Sequence, residues 1–257
     1  MNDLEKYFRE NKGRLIHKCM HYFDVYETYF SKYRGKQMVI LEIGVSHGGS
    51  LQMWRNYFGD KAKIYGIDIN PECKKFEEEN IKIFIGSQSD RNFLKEVRSQ
   101  IPPIDILIDD GGHGMRQQII TFEEMFTHIK AEGIYLCEDL HTSYWLEYGG
   151  GHKRNGTFVE YSKNFIDKLN AQYSEQGSLV TDSFTKSVKG LHFYNGMLLL
   201  EKGVTVDYKD KKTGTTSLNN EITKRKIPAF LYKPAYAVAY AVNAVLRFLR
   251  LPGIFWK

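Results

Sequence analysis

The sequence has few cysteines and no long apolar run. Its three cysteines, Cys19, Cys73 and Cys137, lie far apart and lack the spacing of metal ligands, which excludes a disulfide framework or a zinc knuckle. A reducing cytoplasm is the natural setting for such a chain. No uncharged apolar stretch reaches the roughly 20 residues of a spanning helix, and the first ten residues lack the apolar core of a secretory signal. We therefore expect a cytoplasmic protein that is neither exported nor membrane-spanning.

The positive charge is confined to the end of the chain. The formal net charge is +5, yet after Glu221 there are seven basic residues and no acidic one. These seven are Lys224, Arg225, Lys226, Lys233, Arg247, Arg250 and Lys257. The preceding 221 residues therefore carry a net charge of −2. Because a nucleic-acid platform needs a basic face, we expect no nucleic-acid partner for the main domain.

Short β-branched runs alternate with amphipathic segments from Met38 onward. Strands are predicted over 38–43, 63–67, 81–85, 104–108 and 133–137, with helices over 50–57, 71–78, 90–99 and 115–129. This alternation is typical of βαβ units in an α/β fold with a mostly parallel, Rossmann-like sheet and helices on both faces. Asn195-Gly196 between two apolar runs predicts a terminal antiparallel hairpin.

Three regions are expected from these patterns. Residues 1 to 36 carry aromatic residues at helical spacing and are predicted to be a helical extension. Residues 37 to 202 are predicted to form the main domain. Residues 203 to 257 are predicted to be a polar linker followed by a basic amphipathic helix from Pro234 to Arg250. That helix docks on its own domain or on a second subunit, or it contacts a membrane surface, and both alternatives stay open.

A glycine-rich turn follows the first predicted strand. The chain runs from Glu42 through Gly44 to Gly48-Gly49-Ser50, where the next helix opens and its amino terminus suits an anionic group. Asp68 closes the second strand, where an acidic side chain accepts hydrogen bonds from ribose hydroxyls. Gln88 and Ser89, in the loop after the third strand, suit an adenine edge. Together these residues favour an adenosine-type cofactor, although a plain strand-to-helix turn is the alternative.

Acidic clusters end the fourth and fifth predicted strands. Asp109-Asp110-Gly-Gly-His113 follows one strand and Glu138-Asp139 follows the other. In a parallel sheet Asp110, Glu138 and Asp139 would converge at the carboxyl edge, and three hard oxygen ligands suit Mg²⁺. His113 would lie beside the cation as a proton acceptor. The alternatives are a polar turn and a helix cap.

The motifs from Glu42 to Asp109 resemble those of class I S-adenosylmethionine-dependent methyltransferases, with Ser46 where many members have a glycine. A narrower resemblance covers roughly residues 37 to 170. Glu42-Ile-Gly-Val, Ile108-Asp-Asp-Gly-Gly-His113, Glu138-Asp139-Leu-His-Thr-Ser-Tyr-Trp145 and Tyr148-Gly-Gly-Gly151 are similar to the metal-dependent sugar O-methyltransferases of the mycinamicin type and their cephalosporin hydroxylase-like relatives.

The resemblance implies S-adenosyl-L-methionine and Mg²⁺ as cofactors and O-methylation of a sugar or glycosylated acceptor, such as a glycan or glycolipid. It implies cofactor contacts at Glu42, Gly44, Ser50, Asp68, Gln88, Ser89 and Asp109. It further implies that Asp110, Glu138 and Asp139 hold the metal and that His113 is the base, with His141 as its competitor. Two other functions stay open: methylation of a catechol-type acceptor, and a non-catalytic cofactor-binding scaffold that acts through its terminal helix. A homo-oligomer is expected.

Overall fold

The structure is a computed structural model that describes residues 1–174, 179–205, 210–215 and 229–249. The chain divides into two compact units, residues 1 to 208 and residues 209 to 257. The first unit contains a seven-stranded sheet of order β3-β2-β1-β4-β5-β7-β6. The strands are β1 (Val39–Ile43), β2 (Lys63–Asp68), β3 (Ile81–Ile85), β4 (Ile104–Asp109), β5 (Ile129–Cys137), β6 (Val188–Tyr194) and β7 (Met197–Lys202).

The first five strands are parallel, whereas β7 runs antiparallel to both β5 and β6. The predicted α/β class, the mostly parallel sheet and the Asn195-Gly196 hairpin are therefore confirmed. Gly196 has φ +77°, a conformation that a glycine adopts without steric cost. Beyond the hairpin, residues 203–205 and 210–215 have no helix or strand, and the rest of the predicted linker lies outside the described residues.

Seven α-helices belong to the described part of the first unit: α1 (Asp3–Glu10), α2 (Tyr22–Phe30), α3 (Gly49–Phe58), α4 (Arg91–Gln100), α5 (Met115–Met125), α6 (Phe158–Leu169) and α7 (Ser183–Ser187). Short 3₁₀ helices cover Ser31–Tyr33, Pro71–Phe76, Phe126–His128, Leu140–Tyr144, Leu146–Tyr148 and Ala171–Tyr173.

Two helix predictions need correction. The segment from Pro71 is a 3₁₀ helix that stops at Phe76, because Glu78 turns back to pair with Ile81. The helix from Met115 ends before Ile129, which already belongs to β5, so this strand begins four residues before Gly133. The hydrophobic periodicity of the sequence did not indicate either boundary, because an apolar residue at the end of a helix fits the start of a strand equally well.

Two apolar layers cover the sheet. On one face, Tyr22, Phe23 and Tyr26 of α2 pack with Trp54 of α3 against the strands. On the other face, the helices α4, α5 and α6 bury a second cluster that includes Leu94, Phe122 and Phe165. Tyr22, Phe23 and Tyr26 thus belong to a helix that packs on the sheet. Residues 11 to 19, between α1 and α2, have no regular structure and cross the carboxyl edge of the sheet.

The second unit contains α8 (Ala229–Phe248). The prediction that Pro234 begins this helix is wrong, because the helix starts five residues earlier and includes the proline. Pro234 is the sixth residue of the helix, so it removes one backbone hydrogen bond near the start. Val238 and Val245 are exposed on this helix. None of the described helices combines the length and the apolar character that crossing a bilayer requires.

Candidate active site

The strand register brings the predicted acidic residues to one place. Ile43 at the end of β1 pairs with Asp109 of β4, and Asp109 pairs with Cys137 of β5. The next residues, Gly44, Asp110 and Glu138, therefore leave the sheet side by side. The order of connections reverses between β1 and β4, which is the point where open α/β sheets bind ligands.

Glycine is needed where the turns after β1 and β4 meet. Gly44 has φ +98°, and a β-carbon there would lie 2.0 Å from the carbonyl oxygen of Asp110. A β-carbon at Gly111 would lie 2.0 Å from Oε1 of Gln88. At Gly44 the turn after β1 therefore packs against the backbone of the turn after β4, and at Gly111 the turn after β4 packs against the Gln88 side chain. Neither position has space for a larger residue.

A cavity of about 370 Å³ opens beside these turns. Predicted site residues that line it are Gly44, Ser50, Asp68, Gln88, Asp110, His113, Glu138 and Asp139. Asp68 stands at its β2 side, where its carboxylate accepts hydrogen bonds from the backbone N–H groups of Ser46 and Asn70. This volume is within the range of small-ligand and cofactor sites.

Three potential metal ligands meet at the wall of the cavity. Ligand atoms of Asp110, His113 and Asp139 all lie within 4.8 Å of one another. His113 Nε2 is 3.9 Å from Asp110 Oδ1 and 3.6 Å from Asp139 Oδ2. Both His113 and Asp139 have positive φ, 53° and 54°, and such strain in non-glycine residues concentrates at functional sites. Nδ1 of His113 is buried and has no hydrogen-bond partner among the described residues.

A buried lysine that the sequence analysis missed lies between the acidic residues. Lys18 Nζ is 2.5 Å from Asp110 Oδ2, 3.1 Å from Glu138 Oε2 and 3.3 Å from Glu42 Oε1. Burial lowers the pKa of Lys18, but the attraction of Asp110 and Glu138 outweighs it and holds the pKa well above its usual value. Lys18 is therefore a permanent cation in the site.

Two tyrosines of α2 complete this wall. The Tyr26 hydroxyl donates to Glu138 Oε1 at 2.6 Å, and the Tyr22 hydroxyl donates to Asp139 Oδ1 at 2.8 Å. Burial raises the pKa of Glu138 to about 8, against the opposing effect of Lys18. Both oxygens of Glu138 are bonded within this cluster, so Glu138 lies beside the Asp110, His113 and Asp139 group with its carboxylate already engaged.

Several predicted cofactor contacts point away from the cavity. Glu42 is fully buried and accepts hydrogen bonds from Ser50 Oγ at 2.6 Å and from Lys18. Asp109 accepts from Gln88 Nε2, and burial raises the pKa of Asp109 to about 7. Neither carboxylate lines the cavity, and Ser89 does not line it either.

Gln88 lines the cavity while its amide is already engaged. Nε2 donates to Asp109 and to Thr121 Oγ1, and Oε1 accepts from the Gly112 N–H. The amide thus ties the loop after β3 to the turn after β4. In this arrangement Gln88 shapes the cavity wall and has no unused amide donor for a ligand.

The second candidate base, His141, lies outside the cavity. It does not line the cavity, its Nδ1 is 4.0 Å from Asp139 Oδ1, and its ring packs edge-on against Trp145. Tyr144, at the end of the first 3₁₀ helix after Asp139, is 54% exposed, and Trp145, between that helix and the next, is 46% exposed. The site therefore has a solvent-facing aromatic surface next to its acidic wall.

The parallel sheet, the glycine turn after β1 and the acidic residue after β2 define a class I S-adenosylmethionine-dependent methyltransferase. Demethylmacrocin O-methyltransferase of Streptomyces fradiae is 34% identical over 197 residues, which covers 72% of this chain and 49% of that protein. Mycinamicin VI 2''-O-methyltransferase of Micromonospora griseorubida is 33% identical over 196 residues, with the same coverage. The chain is thus related to sugar O-methyltransferases of the mycinamicin type, which confirms the predicted resemblance.

A solved structure supports the same assignment. MycE methyltransferase from the mycinamycin biosynthetic pathway, in complex with Mg, SAH and mycinamycin VI, is 31% identical with a TM-score of 0.69. The match covers 79% of this chain and 53% of that one. The chain thus spans about half the length of the relatives that it matches. Models of protein families give no match to the chain.

Proposed function

We propose that this chain is an S-adenosylmethionine-dependent and Mg²⁺-dependent O-methyltransferase that acts on a sugar hydroxyl. The observation that carries the proposal is the convergence of Asp110, His113 and Asp139 on the wall of a cavity that Gly44 and Asp68 also line. The names of the related proteins, which methylate sugar-bearing macrolides and tetracenomycins, support a sugar acceptor over a catechol.

The residues around the cavity fit an adenosine cofactor. Asp68 carries carboxylate oxygens at the carboxyl end of β2, where a ribose diol is bound in such folds. Gly44 and Gly111 keep the backbone close to the cavity without intruding side chains. Glu42, Gln88 and Asp109 would act indirectly, since their polar groups hold Ser50, the turn after β4 and each other in place.

The residues around His113 fit a divalent cation. Oδ1 of Asp110 and Oδ2 of Asp139 lie 3.9 Å and 3.6 Å from His113 Nε2, and hard oxygen donors are what Mg²⁺ prefers. Glu138, the third ligand implied by the resemblance, is adjacent and would need to exchange a bond from Lys18 or Tyr26. A buried Nδ1 without a partner on His113 also fits a ring whose position depends on a bound group.

The chemistry supplied at this site is a methyl group on a sulfonium and cation polarisation of an acceptor hydroxyl. His113 would accept the proton of the acceptor hydroxyl, which leaves the oxygen as the nucleophile for the methyl group that the bound cofactor would supply. Asp110 and Asp139 would hold the acceptor end in line, because positioning supplies much of the rate in such a displacement. His113 suits the role of base better than His141, because only His113 lines the cavity.

Asp139→Asn tests the metal proposal. Asparagine tolerates the left-handed backbone of this position, so the exchange removes charge and leaves the turn intact. Turnover on glycosylated acceptors with Mg²⁺ is expected to fall by at least about 100-fold, with SAH binding within about twofold. Glu160→Gln on α6, which removes a partly exposed carboxylate paired with Lys163, is the matched control. Full turnover of Asp139→Asn, or turnover of the native chain in EDTA, would count against the proposal.

The exposed aromatic surface is proposed as part of the acceptor site. Trp145 presents a ring to solvent directly after the acidic wall, and aromatic faces pack well on sugar rings. Trp145→Ala is expected to raise KM for a glycosylated acceptor several-fold while KM for S-adenosylmethionine stays unchanged. Equal effects on both constants would place Trp145 in the fold instead of the acceptor site.

We further propose a cytoplasmic setting and a homo-oligomer, with the second unit as the contact element. The exposed valines of α8 support an outward-facing apolar surface, which suits a second copy of the chain or a membrane surface. Light scattering and vesicle sedimentation, each with the full chain and with a version that ends at residue 208, separate these outcomes. The proposal would be contradicted if the full chain and the shortened version were both monomeric and neither bound vesicles.

A further inference from the structure

Two side chains from the amino-terminal part of the chain each bond one oxygen of a carboxylate at the cation site. Lys18 holds Asp110 by Oδ2 at 2.5 Å, and Tyr22 holds Asp139 by Oδ1 at 2.8 Å. In both carboxylates the other oxygen is the one nearest His113 Nε2. Each carboxylate therefore has one oxygen fixed from behind and one oxygen directed at the site.

The geometry points to Lys18 and Tyr22 as positioning residues that set which oxygens of Asp110 and Asp139 are presented to a divalent cation. The inference rests on the proposed metal site. Both residues line the cavity, and the role inferred for them acts through the carboxylates that they orient. Outer partners of this kind commonly change metal affinity by about 10- to 100-fold when removed.

The surroundings make both positions rigid. Lys18 is also bonded to Glu42 and Glu138, and its side chain is 2% exposed. Tyr22 is 1% exposed, and its hydroxyl also lies 3.2 Å from the Gly196 carbonyl oxygen in the hairpin turn. A carboxylate bonded to such groups loses little rotational freedom on binding a cation, because its orientation is already fixed.

The segment that carries Lys18 is itself fixed to the sheet edge. A β-carbon on Gly49 would lie 2.4 Å from the Leu15 carbonyl oxygen, so residues 14 to 16 lie directly on the start of α3. Arg14 forms an ion pair with Glu78 at 3.0 Å. The segment therefore forms a stationary wall of the site.

The decisive variant is Tyr22→Phe, which removes only the hydroxyl. Isothermal titration of MgCl₂ into protein saturated with SAH is expected to show affinity about 10-fold weaker than in the native chain. SAH affinity in EDTA is expected to stay within about twofold. Tyr29→Phe on the same helix, whose hydroxyl meets Tyr194 instead of the site, is the matched control and is expected to bind MgCl₂ normally.

Lys18 is tested by a pair of exchanges. Lys18→Met leaves Asp110, Glu138 and Glu42 without their counter-ion, and that variant can fail to fold. Lys18→Arg keeps the charge and is expected to retain more MgCl₂ affinity than Lys18→Met. If Lys18→Met does not fold, the decision rests on Tyr22→Phe.

The outcomes separate this inference from the proposed function. If the native chain binds no MgCl₂, the proposed metal site fails first. If the native chain binds MgCl₂ and Tyr22→Phe binds it equally well, the positioning role is overturned while the proposed function stands. A parallel loss of SAH affinity in EDTA would assign Tyr22 a general structural role and would also overturn the inference.

Discussion

The bond between Tyr26 and Glu138 makes a specific prediction about stability. Tyr26 is fully buried, and its hydroxyl donates at 2.6 Å to Glu138, which is 1% exposed. Tyr26→Phe deletes this donor and leaves the carboxylate with Lys18 as its remaining partner there. Leaving a buried acceptor oxygen without its donor costs about 1–3 kcal/mol, so we expect the free energy of unfolding to fall by about 2 kcal/mol.

Urea denaturation in EDTA at pH 7, followed by far-ultraviolet circular dichroism, measures this loss as a lower midpoint at unchanged slope. Tyr135→Phe is the matched control. Its hydroxyl is as deeply buried but has no oxygen or nitrogen partner among the described residues. Removing a buried donor without such a partner is expected to leave stability unchanged or raise it by up to about 1 kcal/mol.

Either of two results would refute the expected contribution of the Tyr26 hydrogen bond. Tyr26→Phe as stable as the native chain would mean that Glu138 gains nothing from the hydroxyl. A loss at Tyr135→Phe equal to that at Tyr26→Phe would mean that ring packing, and not the hydrogen bond, determines both values.

Three more predictions concern the turns and the metal. Gly44→Ala is expected to lower the free energy of unfolding by at least about 2 kcal/mol in a urea titration, because φ is +98° and the Asp110 carbonyl blocks the methyl group. The free energy of unfolding of Asp109→Asn should equal that of the native chain near pH 4 and should exceed it increasingly as pH rises to 7, by up to about 4 kcal/mol. The reason is that the raised pKa of about 7 makes the folded state bind the proton more tightly than the unfolded state, so native stability declines across that range. In the absence of cofactor, Mg²⁺ at about 100 times its Kd should raise native stability by about 2.7 kcal/mol, and Asp139→Asn should remove that gain. A Mg²⁺-dependent gain that persists in Asp139→Asn would contradict this last prediction. A fully stable Gly44→Ala would contradict the first, and a stability difference for Asp109→Asn that does not change with pH would contradict the second.

Much of the sheet was predictable because buried parallel strands are continuous apolar runs. The predicted runs ending at Ile43, Ile67 and Ile85 match their strands to within a residue. Residues 11 to 19 were not predictable in this way. They lie between two helices of aromatic residues, and their shape is set by contacts with α3 and the acidic residues, which are distant in sequence.

The candidate site was predictable mainly where side chains lie at strand ends or in the turns that follow them. Asp68, Asp110 and Asp139 come at strand ends, and parallel strands place such residues at one edge. Lys18 gave no local signal, because a single lysine in a mixed-charge segment is usually solvated. Glu42 and Asp109 also follow the strand pattern, yet they turn inward, since whether a carboxylate meets a cavity or a buried partner depends on residues from other parts of the chain.

The two contacts from Lys18 and Tyr22 fix the number of residues that the chain can have between them. Three residues separate the two positions, and one more or one fewer would shift an anchor by about 3.3 Å, which exceeds the bond lengths of 2.5 and 2.8 Å that it must keep. Met20, between them, is 40% exposed and free to vary in kind. Position 20 should therefore accept substitutions while the stretch rejects insertions or deletions, the reverse of what a surface loop usually tolerates.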